Sequence, residues 1–123
     1  MKVSRELASQ RIDEYMVKVL MPKLKGGKDD NAARFKIGVA HTMGWLRITD
    51  EQFADLKDGG LVDGEGSIDM ELVRKAVNGG LTALSGGELF VKKLGIWLSA
   101  DDLSDMVDYV ETGSQKQRQE ATR

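Results

Sequence analysis

The spacing of apolar residues, the glycine punctuation and the scarcity of proline together predict an all-α fold. The expected architecture is a single domain, an irregular bundle of five to six short helices. Apolar residues recur at three- and four-residue intervals in several segments, as the buried stripe of a helix requires. The 123 residues include 14 glycines and one proline. Many glycines come in pairs, Gly26-Gly27, Gly59-Gly60, Gly79-Gly80 and Gly86-Gly87, which read as joints between elements. An all-β domain usually spends several prolines on turns and edges, and this chain has Pro22 alone. A chain of this length hides about two-thirds of its unfolded surface on folding, so no cofactor is needed to complete a core. The helical domain is expected over residues 1–113, with a polar C-terminal tail over 114–123.

From Val3 to Met21, Leu7, Ile12, Tyr15, Met16, Val19 and Leu20 fall near one stripe. Pro22 is expected to end or kink this helix, because it lacks a donor and crowds the preceding turn. A basic loop follows, with Lys23, Lys25, Gly26, Gly27 and Lys28. Asp29, Asp30 or Asn31 is placed to cap a second helix reaching about Trp45. Within it, Phe35, Val39, Met43 and Leu46 are spaced by four, four and three. Residues 34–39 also alternate polar and apolar as a strand would. The alanines around them and the length of the pattern favour helix.

Thr49-Asp50-Glu51-Gln52 has the form of a capping box, a hydroxyl at the N-cap and Gln at N3. It predicts a third helix carrying Phe53 and Leu56 and stopping at Gly59-Gly60. Ser67 or Asp69 opens a fourth with Leu72, Val73, Ala76 and Val77. Ser85-Gly86-Gly87-Glu88 is a second capping box, before Leu89, Phe90, Leu94, Trp97 and Leu98. Ser99 caps the last helix, with Leu98 and Leu103 spaced as a hydrophobic staple. Its stripe is Leu103, Met106, Val107 and Val110, and Gly113 suits its C′ position.

Charge is segregated along the chain. Residues 1–47 hold ten Lys/Arg and five Asp/Glu, residues 48–112 hold five and fourteen, and the tail holds three and one, giving the net −2. Three arrangements follow from this split. The halves attract within one domain, each exposed pair contributing little. One copy's basic face meets another's acidic face. Or the basic front half, through Arg11, Lys18, Lys23, Lys25, Lys28, Arg34 and Lys36, binds a polyanion, DNA or RNA. The Lys23–Lys28 loop carries the third, since its glycines allow close backbone approach beside a helix start. It lacks the phosphate-loop pattern, and an acidic chain is unlike most nucleic-acid domains.

Complete catalytic groupings are missing. There is no cysteine, which removes disulfides, thiol chemistry and cysteine-ligated metals. His41 is the lone histidine and is expected to be packed and hydrogen-bonded rather than catalytic. Asp63-Gly64-Glu65-Gly66-Ser67-Ile68-Asp69 resembles the middle of a calcium loop, but Leu61 and Leu72 stand where its anchoring carboxylates belong. A polar turn with a helix cap is the simpler expectation, with no metal and no cofactor. Asp101, Asp102, Asp105 and Asp108 lie at helical spacing and read as a solvated or partner-facing acidic face. Trp45 and Trp97 read as core or interface anchors. Any exposed apolar patch is expected to draw on Met16, Met21, Met43, Trp45, Phe90 and Trp97. The N-terminus has no apolar signal region and no apolar run reaches ~18 residues, so the cytoplasm is the expected location. The expected role is a non-enzymatic interaction or accessory protein, acting through oligomerisation or a protein partner. The alternative is a nucleic-acid-associated accessory protein using the basic N-terminal half.

Overall fold

The computed structural model describes residues 1–24, 26–79 and 100–114, and over these the protein is all-α. Helix α1 (Arg5–Tyr15) opens on Ser4, whose hydroxyl accepts from the Leu7 N–H at 3.1 Å. It runs without a break into a π-helical segment (Met16–Leu20) and a final turn, α2 (Met21–Lys23). The widening has a local cause. Pro22 donates no hydrogen bond and its ring crowds the turn before it. Just ahead of it the Met21 N–H reaches back five residues to the Met16 carbonyl, the extra residue per turn making room. Pro22 therefore sits in the last turn rather than ending the helix at Met21.

Helix α3 (Lys28–Met43) settles residues 34–39 as helix. It starts earlier than the carboxylates suggested. Gly27 is the N-cap with no side-chain bond, and Asp29 and Asp30 fall inside the first turn, where acids suit the helix dipole. Asp30 turns back to accept from the Gly26 N–H at 2.7 Å. Gly44 closes the helix at φ 74°, a left-handed conformation that glycine adopts without strain.

Helix α4 (Asp50–Asp58) carries the capping box in full. Thr49 Oγ1 accepts from the Gln52 N–H at 3.1 Å, and Gln52 Oε1 accepts from the Thr49 N–H at 2.9 Å. Two short strands, β1 (Lys2–Val3) and β2 (Ile68–Asp69), pair antiparallel with Val3 opposite Ile68. They were not anticipated, since two residues are too few to show an alternation. Helix α5 (Met70–Gly79) follows β2 directly. Of the two candidate caps, Asp69 serves, accepting from the Glu71 and Leu72 N–H groups at 3.1 and 3.3 Å. The final helix, α6 (Ala100–Thr112), ends on Gly113 at φ 78°.

The core gathers on the long first helix. Ile12, Tyr15, Met16, Val19 and Leu20 are buried, as the stripe predicted. Helix α6 lies along α1 and presents Leu103, Met106, Val107 and Val110, all buried. Tyr15 and Tyr109 meet edge-to-face at 5.9 Å, an arrangement favoured by the ring quadrupoles. Helix α3 contributes Ile37 and Ala40, and the stretch after it contributes Leu46 and Ile48. The Ile48 N–H, donating to the buried Ser9 hydroxyl at 3.0 Å, pins that stretch to α1. Arg11 donates to the carbonyls of Val110 and Glu111 at 2.7 and 3.1 Å, closing the end of α6 where carbonyls lack helical partners. The second capping box, Phe90, Trp97, the Leu98 staple, the Ser99 cap and residues 115–123 of the tail lie outside the described residues.

Candidate interaction surface

Helix α3 carries two apolar faces. One, with Ile37 and Ala40 fully buried, packs inward. The other holds Phe35, Val39 and Met43, which at 3.6 residues per turn fall within about 80° of one another. All three are exposed: Phe35 at 73%, Met43 at 57% and Val39 at 37%. Trp45, just past the cap Gly44, is exposed at 58%. Of that stripe's four residues only Leu46 is buried, because the chain has left the helix by then. Scattered exposed apolar side chains are ordinary, but a contiguous row with an aromatic at each end marks a contact surface.

Lys28 and Lys36 fall in or beside the same sector of α3, and Arg34 lies on its other flank. All three are exposed, and none makes an ion pair among the described residues. Arg47, beyond the helix end, is likewise exposed and unpaired there. The other expected polyanion contacts divide. Lys18 is exposed on the π segment. Lys23 lies 2.8 Å from Asp102 and 3.8 Å from Asp105, so α6 takes up its charge. Lys25 lies outside the described residues. The structure thus brings Lys28, Arg34 and Lys36 together on one helix and draws Lys23 away.

The aspartates of α6 are mostly spent inside the fold. Asp102 and Asp105 hold Lys23, while Asp108 and Glu111 each lie 2.7 Å from Arg74 Nη2. These two carboxylates, Glu111 first, raise the Arg74 pKa further. Asp101 alone of the four remains exposed. The Tyr15 hydroxyl donates to the Asp102 carbonyl at 3.1 Å. Burial, then the Asp102 and Asp105 charges, push its phenol far above its ordinary range.

Asp63 organises the turn that resembled a calcium loop. Its carboxylate accepts from the Glu65 and Ser67 N–H groups at 2.9 Å each and lies 3.1 Å from Lys2. Those bonds, led by Ser67, hold it below the usual carboxylate range. Among the described residues no cluster of His, Asp or Glu has metal-holding geometry. His41 is hydrogen-bonded, as expected, but not packed. It is half-exposed, with Nδ1 2.9 Å from Asp13, and it ties α3 to α1 across the surface.

The expected apolar patch needs correction. Met16 is fully buried against the core and Met21 is half-buried, since both follow the inward stripe of the first helix. Met43 and Trp45 are exposed as anticipated. Phe35 and Val39 were read only as evidence of a helix. The signal that reveals them is the second apolar row, Ile37 and Ala40: a helix on the edge of a small bundle buries one row, so the other is surplus. No helix among the described residues is long and apolar enough to cross a membrane. Comparison with known proteins gave no match among family models, curated proteins or solved structures.

Proposed function

We propose that this chain is a non-enzymatic cytoplasmic interaction protein, an adaptor, assembly or accessory subunit that docks a protein surface on the outer face of α3. The observation that supports this is the exposed row Phe35, Val39 and Met43 with Trp45 at its end. Aromatic, methionine and arginine side chains are the types enriched in interfaces, and central aromatic anchors dominate their energetics. Among the described residues these side chains take no part in the core.

A benzophenone amino acid in place of Phe35 tests the reading in cells. Irradiation is expected to yield a covalent adduct with a polypeptide, suppressed by a charge at Val39. Recovery of uncrosslinked chain alone would sink the proposal.

One observation favours a second reading, an accessory protein that binds DNA or RNA. Phe35 stands between Arg34 and Lys36, both exposed and unpaired among the described residues, and a base can stack on such a ring while cations hold the backbone. That reading requires retention of oligo(dT) or duplex at ~50 mM salt, with affinity falling steeply as salt rises. Absence of any retention would dismiss it.

A further inference from the structure

We infer that the partner on the outer face of α3 is a second copy of this chain, packed α3 against α3 in antiparallel fashion about a two-fold axis at Val39. The inference rests on the docking role proposed for that face.

The first argument is the symmetry of the row. Phe35 and Met43 each lie four residues from Val39. An antiparallel pair centred on Val39 sets Phe35 of each copy against Met43 of the other, and Val39 against Val39. Phe35, Val39 and Met43 each then meet an apolar group, and sulfur against an aromatic ring is a favourable contact. A two-fold contact of this kind uses the same patch on both copies and closes after two.

The second argument is charge at the ends. In the antiparallel pair the start of one α3 lies beside the end of the other. Asp29 is exposed at the start and Arg47 is exposed just past the end, and neither has an ion-pair partner among the described residues. Each Asp29 then comes within reach of Arg47 of the second copy. The helix dipoles also oppose one another favourably. Lys36 repels its own copy only weakly. The two stand six residues apart along the helices, about 9 Å at 1.5 Å per residue, roughly a screening length at physiological salt.

The acidic half of a second copy is a poorer match. The exposed side of α4 offers Asp50, Glu51, Asp55 and Asp58 with Ala54 and Lys57, and Asp50 already holds Arg5. Docking there would satisfy the cations and leave Phe35, Val39 and Met43 against charge.

Area sets the strength. Four side chains that each hide on the order of 100 Å² supply about 400 Å² per copy. A standard stable interface hides about 800 Å² per partner. The dimer is therefore a weak one that dissociates on dilution.

Sedimentation equilibrium of the full chain over a concentration series tests this. The expected result is a monomer–dimer equilibrium and no larger species. Val39→Lys sets two ammonium groups on the axis and is expected to leave monomer throughout. Val39 is only 37% exposed, so Phe35→Ser, at a position 73% exposed, serves as the second variant and should give monomer with the parent's helicity and melting temperature. Asp29→Arg and Arg47→Asp should each weaken the dimer, and the double variant should recover it. A monomer at every concentration overturns the inference, as does growth into open chains or a dimer that ignores Val39→Lys. If the protein is monomeric yet benzophenone at position 35 captures a different polypeptide, the second copy is wrong and the docking role stands. If there is neither dimer nor adduct, both fail.

Discussion

The seam between α1 and α6 and the outer face of α3 are built from similar residues and do opposite things with them. Along the seam, apolar side chains are buried and charges are paired within the chain: Arg11 on the α6 carbonyls, Lys23 on Asp102, and Arg74 from α5 on Asp108 and Glu111. On α3 the apolar row is open and its cations are unpaired among the described residues. The difference is one of placement. Helix α1 lies along α6, whereas α3, among the described residues, packs against the continuation of the first helix along one stripe and leaves Phe35, Val39 and Met43 exposed. Burial and ion pairing gather in the seam, and exposed apolar surface is left on α3.

The largest expected effect lies in the seam. Ile12→Ala removes buried methyl groups from the core side of α1 and should cost about 2–5 kcal/mol in denaturant unfolding. A loss below about 1 kcal/mol would mean that the seam is not the core of the fold. Next is Arg74→Ala, which leaves Asp108 and Glu111 facing each other without their shared cation. The Arg74 side chain is about a third exposed, so solvent screening reduces the cost to about 1 kcal/mol. Raising the salt to ~1 M should shrink the difference from the parent.

A smaller effect depends on pH. Hydrogen bonds from Ser67 and Lys2 hold Asp63 below the usual carboxylate range, so the unfolded chain takes up the proton at a higher pH than the folded one. Its contribution is therefore present above the unfolded pKa and lost as pH falls through the folded value. Lys2 mirrors it: its raised pKa keeps the bridge intact below the ordinary lysine range, and the bridge is lost as pH rises through the folded value. Asp63→Asn should melt earlier than the parent at neutral pH, and the two curves should converge in acid. An equal gap at every pH would show that the turn does not depend on the charge.

The smallest expected effect on stability is at the centre of the proposed surface. Phe35→Ser should shift unfolding by about 0.5 kcal/mol or less, as exposed positions do. It should nonetheless abolish the self-association. A loss above about 2 kcal/mol would break the comparison, because Phe35 would then be part of the folded core.

Much of the fold was readable because its signals are local. Thr49 and Gln52 are three residues apart, so the capping box needs only its own turn. The stripes of α1 and α6 were legible because each helix has one dominant apolar side, and Gly113 because a left-handed residue after a helix is a backbone requirement. The π segment was half-legible: Pro22 announced trouble, but whether a proline stops a helix or widens the turn before it depends on what holds the next turn in place. The candidate surface was legible only as residues. Phe35, Val39 and Met43 show helical spacing, and so do Ile37 and Ala40, and spacing cannot say which row turns inward. The pairs Lys23–Asp102 and Arg74–Asp108 join residues 79 and 34 positions apart, beyond the reach of any local pattern.

The sequence by itself determined an all-α chain, its helix starts and stops where side chains cap their own backbone, and the segregation of its charge. Those properties act over one or two turns, where covalent neighbours set the geometry. Tertiary structure alone decided which charges were consumed, that a minimal β1–β2 pair would tether the N-terminus beside α5, and that α3 would show its larger apolar row to solvent. Burial is a contest among all the faces of a molecule for limited interior space. A smaller row, Ile37 and Ala40, lets α3 approach the first helix closely, and the bulkier Phe35, Val39 and Met43 are left exposed.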